Sequence, residues 1–372
     1  MNDNHKPSIE VYVATHKKID FALPDYCKKI QVNAERLGQW EGYLHDNDNR
    51  EDNISLKNPN YCELTALYSM WKNCKADIQG LFHYRRYISR VEKVRGEDGL
   101  NTLMTSSRNI CKFAITQDMI INALKNADVI CVRPFRNAFP ILEERKQYCY
   151  WHDIRELNNV IREYYPDYTA ALQHVYDNCE ISACNMFIAG REIVNGYCTW
   201  MFDVLEKLEG RISLEGYDVN HARIYGYLSE FLLDVYMYRN NLKPAYFYKI
   251  FIEENAVTRF KISTVRALRR IPGLANVVRA YRKSRLERHS IETDEFFINT
   301  EDIYYTSCTA VIFKPKNINF SVSSLEEQLI KLETEAKDKK RILFPRIILD
   351  PATPGAVKDS LREAGIRIMN AQ

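Results

Sequence analysis

The sequence predicts an α/β protein built on an open sheet, and three observations support this prediction. Short runs predict buried strands at 9–14, 77–82 and 128–132, and the first of them is rich in β-branched and aromatic residues. An amphipathic helix that begins at Asn58-Pro59 separates the first two strands. The order of strand, helix and strand is typical of an open α/β sheet.

Polar residues lie at the ends of these first elements. The first strand ends at Thr15-His16-Lys17, and the second is followed by a run that begins at His83. In the helix between them, Asn58 suits the N-cap position and Pro59 suits the first turn. Ligands bind open α/β sheets at the carboxyl ends of the strands, so both polar runs are candidate site residues.

The second half of the chain continues the alternation of helices and strands. A tail from residue 294 contains Ser324-Leu325-Glu326-Glu327, the pattern of a capping box at a helix start. The predicted elements are helices at 156–165, 169–176, 192–208 and 221–238, strands at 183–189 (ended by Gly190), 342–349 and near 366, and a helix start at Thr353-Pro354. These elements predict a main α/β domain over 1–250, a basic helical segment over 251–290 and a small α/β region over 291–372.

Composition excludes several classes of protein. With 46% hydrophobic, 12% aromatic and 27% charged residues, the chain is neither disordered nor fibrous. No window approaches the roughly 18 to 20 apolar residues that a spanning helix needs, and the first residues are polar. The ten cysteines show no Cys-x-x-Cys pair, which indicates reduced thiols rather than a zinc site or disulfide framework. We therefore expect a cytoplasmic protein.

The basic charge of the chain is local. Residues 259–288 contain ten Lys or Arg and one acidic residue, so this stretch carries +9 in a chain whose formal net charge is +3. Apolar residues recur in it every three or four positions, with arginines between them. Such a segment can lie on an anionic membrane surface, or it can be the solvated face of a docked helix. No nucleic-acid reading motif accompanies the charge, so nucleic acid is not an expected partner.

The run His83-Tyr84-Arg85-Arg86 is the strongest candidate site. The sequence contains no Gly-x-Gly-x-x-Gly, phosphate loop, His-Glu-x-x-His or Gly-x-Ser-x-Gly motif. Two adjacent arginines at a strand end match a diphosphate, because guanidinium groups donate paired, always-charged hydrogen bonds. The alternative is a surface turn whose arginines pair with local acidic residues.

Weaker candidates surround this run. Helix N-termini bind anions, and Lys57, beside the start of the predicted helix, would strengthen anion binding there. The alternative is that residues 52–58 only cap this helix. Asp46 and Asp48 form an Asp-x-Asp pair that can hold Mg²⁺ or Mn²⁺, or can be a solvated acidic loop. Tyr148 and His152 are four residues apart, hence on one face of a helix, as a site or as an aromatic pair.

Longer runs resemble a bacterial glycosyltransferase-like family of capsular and exopolysaccharide gene clusters, long known as a domain of unknown function. The resemblance spans residues 9 to about 245. It departs from the family pattern at Asn33, where a glycine is usual, and at Phe231, where an arginine is usual. The runs that carry it are 13–17, 53–73, 80–87, 185–188, 197–200 and 223–230, with Tyr148 and His152 between them.

This resemblance implies a GT-A-like nucleotide-sugar transferase fold, an open mixed sheet flanked by helices, over residues 1–250. It places His83 to Arg86 where many such enzymes keep a metal-binding Asp-x-Asp. Arginine would replace the cation, so we expect metal-independent transfer with no cofactor beyond the nucleotide-sugar donor. A UDP-sugar is the favoured donor. Mg²⁺ or Mn²⁺ held by Asp46 and Asp48 is the disfavoured alternative.

The resemblance and the local chemistry together assign site residues. The donor would be bound by Thr15, His16, Lys17, Asn53, Ser55, Lys57, Asn58, Glu63, His83, Tyr84, Arg85 and Arg86. The acceptor would be bound by Tyr148, His152, Asn185, Met186 and Arg223. A base must take the proton of the acceptor hydroxyl, and the candidates are Glu230, Asp218 and His152, with Glu63 as a further carboxylate.

The expected function is therefore glycosyl transfer to a lipid-linked oligosaccharide during capsule, exopolysaccharide or O-antigen synthesis. Some members of the family resemble galactofuranosyl transferases. The basic segment would hold the enzyme at the inner face of an anionic membrane. The alternative is a non-catalytic scaffold or binding subunit of a polysaccharide assembly complex.

Overall fold

A computed structural model describes most of the chain as two compact units. The first unit comprises Met1–Ala138, Asn178–Asp203 and Tyr225–Ile271, and the second comprises Phe139–Asp177, Val204–Ile224 and Pro272–Gln372. The residues described are 6–91, 101–137, 140–142, 148–182, 184–261, 288–302, 308–338 and 342–369. The predicted boundaries at 250 and 290 stay predictions, because residues 262–287 of the basic segment lie outside the described residues.

Helices occur in both units. They are α1 (Ala34–Leu37), α2 (Asn58–Tyr61), α3 (Leu64–Asn73), α4 (Ile110–Phe113), α5 (Gln117–Leu124), α6 (Trp151–Tyr164), α7 (Thr169–Asp177), α8 (Arg191–Glu209), α9 (Ile224–Arg239), α10 (Val322–Asp338) and α11 (Gly355–Glu363). Short 3₁₀ turns lie at Ser55–Lys57, Ser107–Asn109, Pro166–Tyr168 and His221–Arg223. Among the described residues, no helix is both long and apolar enough to cross a bilayer.

A ten-stranded mixed sheet forms the centre of the first unit. The strands of this unit are β1 (Ile9–Thr15), β2 (Cys27–Gln31), β3 (Leu44–His45), β4 (Ile78–His83), β5 (Arg86–Ile88), β6 (Thr102–Thr105), β7 (Val129–Val132), β8 (Phe135–Arg136), β9 (Glu180–Ile181), β10 (Phe187–Gly190), β11 (Pro244–Phe247) and β12 (Lys249–Ile252). The main path runs β11-β7-β10-β4-β1-β2-β3, with β5, β6 and β12 off it, and β8 pairs with β9 separately. This arrangement confirms the predicted open mixed α/β sheet.

The register of the central strands positions the site. β1 runs parallel to β4, and their last partners are Ala14 and His83. β10 is antiparallel to both β4 and β7. Every residue of β4 is buried, as is usual for a strand covered on both faces. The segments that follow β1 and β4 therefore emerge side by side at one edge of the sheet.

Two predicted elements of the first unit are wrong in detail. The strand expected at 183–189 begins only at Phe187, because Cys184 and Asn185 adopt left-handed backbone conformations with φ of 81° and 50°. Asn58 is the first residue of α2 rather than an N-cap, and the predicted helix breaks at Cys62, where φ is 54°. Asn33, at the position of the usual family glycine, has φ of 60°, a conformation that asparagine tolerates better than most residues.

Gly80 allows β10 to approach β4, which yields a stability prediction. A Cβ at this position would lie 2.6 Å from the carbonyl oxygen of Phe187 and 2.8 Å from Cγ1 of Ile188. Gly80→Ala is therefore expected to lower the free energy of unfolding by about 2 kcal/mol, measured by urea denaturation. Gly190→Ala is the control, since a Cβ there meets nothing within 4 Å. Equal denaturation midpoints for the two variants would contradict this packing argument.

The second unit contains a five-stranded sheet of its own. Its strands are β13 (Arg288–Glu292), β14 (Phe296–Asp302), β15 (Cys308–Pro315), β16 (Ile342–Ile348) and β17 (Arg367–Met369), in that spatial order. Phe296, Phe313 and Trp151 belong to its core, and Trp151 Nε1 donates to the carbonyl of Ala364 at 2.7 Å. The capping box predicted at Ser324 is wrong, because α10 begins at Val322 and the hydroxyl of Ser321 accepts the Ser324 N–H.

Candidate functional site

The polar segments after β1 and β4 lie together at the carboxyl edge of the sheet. The N–H of Tyr84 donates to the carbonyl of Ala14 at 3.0 Å, and the ring of Tyr84 packs edge-on against His16 at 5.0 Å. Thr15 Oγ1 accepts the N–H of Lys17 at 3.1 Å, which closes a tight turn. The structure thus brings together two runs that the sequence assigned to donor binding.

A group of polar side chains lies near this edge, and we call Glu63, His83, Arg86, Asn185 and Ser229 the His83 cluster. His83, Asn185 and Ser229 are buried, and Glu63 and Arg86 are half-buried. His83, the last residue of β4, lies between Glu63 Oε1, 3.9 Å from its Nε2, and Arg86 Nη1, 3.5 Å from its Nδ1. Glu63 directly precedes α3, and Arg86 begins β5. A carboxylate, an imidazole and a guanidinium therefore share one site.

Asn185 connects Glu63 to helix α9. Its Nδ2 donates to Glu63 Oε1 at 2.9 Å and to Ser229 Oγ at 2.9 Å, and it lies 3.4 Å from the carbonyl oxygen of Gly226. The left-handed backbone at Asn185 turns this side chain inward. A Cβ at Gly226 would lie 3.3 Å from Cys62 Sγ, so a glycine lets α9 approach the helix break beside Glu63.

Further charged groups surround the His83 cluster. Lys249 Nζ lies 3.8 Å from Cys184 Sγ. Glu230, on α9, and Arg86 both act electrostatically on His83 and on Cys184. The sequence analysis predicted Glu230 as a candidate base. It did not identify Ser229 or Lys249 as site residues, because no motif indicates them.

Burial lowers the pKa of His83 below its ordinary value, and the nearby Arg86 lowers it further, against the opposing effect of Glu63. The imidazole is therefore neutral at neutral pH. Since Arg86 can only donate, we assign His83 Nδ1 as the acceptor of this contact and place the single ring proton on Nε2. The site thus presents a neutral histidine as a hydrogen-bond donor.

The two adjacent arginines share the ring of Phe251, with the Arg86 guanidinium 6.0 Å from its centre, but differ in their polar partners. Arg85 Nε donates to the carbonyl of Ile252 at 3.1 Å, its Nη2 lies 3.5 Å from Glu253, and it stacks 4.7 Å from the ring of Phe251. Arg86 instead belongs to the His83 cluster. Arg85 thus pairs with an acidic residue and Arg86 lies against His83, and the donor-binding role assigned to both arginines stays a prediction.

The Asp-x-Asp pair stabilises local structure. The buried carboxylate of Asp46 accepts four hydrogen bonds, from the N–H groups of Asn33 and Ala34 at 2.7 and 3.0 Å and from the hydroxyls of Ser55 and Thr65 at 2.6 and 2.7 Å. Asp48 instead accepts from the backbone and ring of His45, each at 2.8 Å. Both carboxylates thus hold neighbouring backbone and side-chain groups in place, and their assigned role as metal ligands stays a prediction.

Other predicted donor residues after Asp48 also make local contacts. Asn53 Oδ1 accepts the N–H of Ser55 at 3.1 Å, Asn58 Nδ2 donates to the carbonyl of Cys62 at 2.7 Å, and Lys57 Nζ lies 5.6 Å from the ring centre of Tyr61. These contacts shape the loop that leads to Glu63. Within the described ranges, no three His, Cys, Asp or Glu side chains are grouped as a metal site would require.

The other predicted residues lie elsewhere. Met186 is fully buried in the core of the first unit. The second unit contains Tyr148, His152, Asp218 and Arg223. Asp218 accepts from His221 Nδ1 at 2.5 Å and caps the 3₁₀ turn there, and His152 lies on α6, 3.9 Å from Glu156. Their assigned roles stay predictions.

The second unit also contains two buried carboxylates that the sequence analysis missed. Asp153 accepts the N–H of Tyr150 at 2.8 Å and the hydroxyl of Tyr217, and Glu333 accepts the N–H of Trp151 at 2.7 Å. Burial raises the pKa of Asp153 to about 7, and Glu333 adds to the rise while the Tyr217 hydrogen bond opposes it. Burial also raises the pKa of Glu333.

An open mixed sheet flanked by helices makes this an α/β protein, a class in which ligands commonly bind at the carboxyl ends of the strands. More specifically, the chain belongs to the DUF4422 family, a domain of unknown function whose sequence profile matches residues 10–241. Its fold is similar to the apo structure of WbbM, a bifunctional glycosyltransferase, with a TM-score of 0.60 and 26% identity. The match covers 66% of this chain and 46% of that chain. No curated protein matches the sequence.

Proposed function

We propose that the protein is a glycosyltransferase that moves a sugar from a nucleotide-sugar donor to a glycan acceptor. The observation that carries the proposal is the His83 cluster, partly buried at the carboxyl end of β4. Glu63 supplies a carboxylate there, and Arg86 supplies a fixed positive charge. The similarity to a solved glycosyltransferase supports the same class of reaction.

In the proposed reaction the acceptor oxygen attacks the anomeric carbon of the donor sugar. A glycosidic bond forms, the bond from the anomeric carbon to the diphosphate oxygen breaks, and its electron pair leaves with the nucleoside diphosphate. The acceptor proton passes to a carboxylate, for which Glu63 and Glu230 are the candidates in the first unit. Arg86 offsets the negative charge that develops on the diphosphate.

The substrates proposed are those that the sequence suggested. The donor is a UDP-sugar, with UDP-galactofuranose among the candidates, and transfer proceeds without a metal ion. The acceptor is a lipid-linked oligosaccharide of capsule, exopolysaccharide or O-antigen synthesis. The basic stretch at 259–288 would hold the protein at the cytoplasmic face of the membrane where such acceptors lie.

Ligand-induced thermal stabilisation tests the proposal. UDP-glucose, UDP-galactose and UDP-galactofuranose are each added with EDTA, Mg²⁺ or Mn²⁺. We expect one donor to raise the melting temperature of wild type in EDTA, and we expect Arg86→Ala to lose that rise. Arg85→Ala is the matched control, because Arg85 already engages Glu253 and Ile252. Stabilisation only with metal would overturn metal-free transfer, and binding without any donor turnover would favour the scaffold alternative.

A further inference from the structure

Two buried polar atoms of the His83 cluster make no hydrogen bond within the part of the chain that the structure describes. They are His83 Nε2 and Asn185 Oδ1, on side chains of residues that are 7% and 2% exposed. More than nine in ten buried polar groups have a partner, so such atoms commonly mark the place of a ligand or an ordered water. Both belong to side chains that flank the same oxygen of Glu63.

The neighbours of each side chain establish what the two atoms can do. Asn185 must turn its nitrogen toward Glu63 and the carbonyl of Gly226, because both of these only accept hydrogen bonds. Its Oδ1 is therefore an acceptor. His83 accepts from Arg86 at Nδ1 and is neutral, so its Nε2 is a donor.

One unpaired donor and one unpaired acceptor, on side chains that flank the same oxygen of Glu63, match a hydroxyl, which both donates and accepts. We infer that His83 Nε2 and Asn185 Oδ1 bind a sugar hydroxyl, so that this pair recognises the sugar rather than the diphosphate. The inference rests on the proposed function and changes the role that the sequence assigned to His83. A phosphate oxygen only accepts, and here it would face both Asn185 Oδ1 and the carboxylate of Glu63.

The charges around the pair also favour a neutral ligand. Glu63 and Glu230 contribute two carboxylates, while Arg86 and Lys249 contribute two cations. A diphosphate would require an excess of positive charge, which this group does not have. Arg86 can still contact a diphosphate at the edge of the site while the hydroxyl pair lies deeper.

Calorimetric titration of the full chain tests the pair. The probes are UDP, UDP-galactose and, with UDP bound, methyl β-galactoside. Both His83→Phe and Asn185→Gly should retain the wild-type affinity for UDP; glycine accepts the left-handed backbone at position 185. If the hydroxyl belongs to the donor, both variants lose about tenfold in UDP-galactose affinity. If it belongs to the acceptor, the loss of about tenfold falls on methyl β-galactoside instead.

Two further variants separate recognition from folding. His83→Gln retains an N–H near the Nε2 position and should recover most of the sugar affinity that phenylalanine loses. Gln79→Met removes another buried amide from the same strand, at its other end, and should leave all three affinities unchanged. Folded variants that bind every probe like wild type would overturn the hydroxyl pair alone. A wild-type protein that binds neither UDP nor any UDP-sugar would overturn the proposed function and this inference with it.

Discussion

Replacing Glu63 with glutamine is expected to lower the turnover number for donor consumption by at least about a hundredfold. Asn185 holds the Glu63 carboxylate at 2.9 Å, and His83 lies 3.9 Å away, so the carboxylate is fixed beside the proposed hydroxyl position. Glutamine keeps the shape and can still accept from Asn185, but it cannot take a proton. The expected loss is therefore in the chemical step, with UDP affinity unchanged.

The measurement is the rate of UDP release from the donor that stabilises wild type, with water or a glycan as acceptor. Glu253→Gln is the matched control, because it removes a carboxylate of the same unit that is paired with Arg85. Its turnover should stay within about threefold of wild type. If Glu230→Gln abolishes turnover while Glu63→Gln does not, then Glu230 is the base and the assignment of Glu63 is wrong.

The central strands were predictable because their signal is local. Residues 9–14 and 128–132 are apolar at all but one position, and 77–82 contains Ile78, Leu81 and Phe82. A strand covered on both faces needs apolar residues wherever it lies in the chain. Polar residues directly after such strands also mark the carboxyl edge. The predicted runs from Thr15 and from His83 therefore lie together as the sequence indicated.

The partners within the site could not be predicted, because they are distant in sequence. Asn185 contacts Glu63 and Ser229, which are 122 and 44 positions away. The run at 183–189 is apolar enough to predict a strand, and the left-handed turn at its start leaves no compositional signal. Asp46 was conspicuous only as part of an acidic loop, although its donors include Thr65, 19 positions later.

The two buried acidic residues of the second unit could not be predicted either, because their partners are also distant in sequence. Asp153 lies on the first turn of α6, where an acidic residue usually caps a solvated helix end. Glu333 lies in a helix rich in charged residues that are mostly exposed. The contact of Glu333 with the start of α6 spans 182 positions, so periodicity alone could not place it in the core.

Ionisation of Asp153 is expected to destabilise the folded protein as pH rises, which is opposite to the usual behaviour of an acidic residue. Its pKa is about 7 when folded, raised from an ordinary value of 3.8. Between these values the folded chain holds a proton that the unfolded chain has released. The free energy of unfolding therefore falls as pH rises from about 4 to about 7, by an amount on the order of 3 to 4 kcal/mol.

Asp153→Asn should remove the contribution of Asp153 to this dependence, because asparagine resembles the protonated acid and can still accept the N–H of Tyr150. The smaller dependence that remains comes from Glu333, whose pKa burial also raises. Urea denaturation of the full chain from pH 4 to 8.5 should show similar stability at the acidic end. Near neutral pH the free energy of unfolding of the variant should exceed that of wild type, and the difference should persist at higher pH. Asp218→Asn is the matched control: although burial opposes the shift, hydrogen bonds from His221 lower the pKa of Asp218 below its ordinary value of 3.8. The stability that this carboxylate contributes is lost only at acidic pH, so wild type should exceed the variant by a nearly constant amount from about pH 5 to pH 8.5. A difference between wild type and Asp153→Asn that is constant with pH would show that Asp153 is already ionised in the fold.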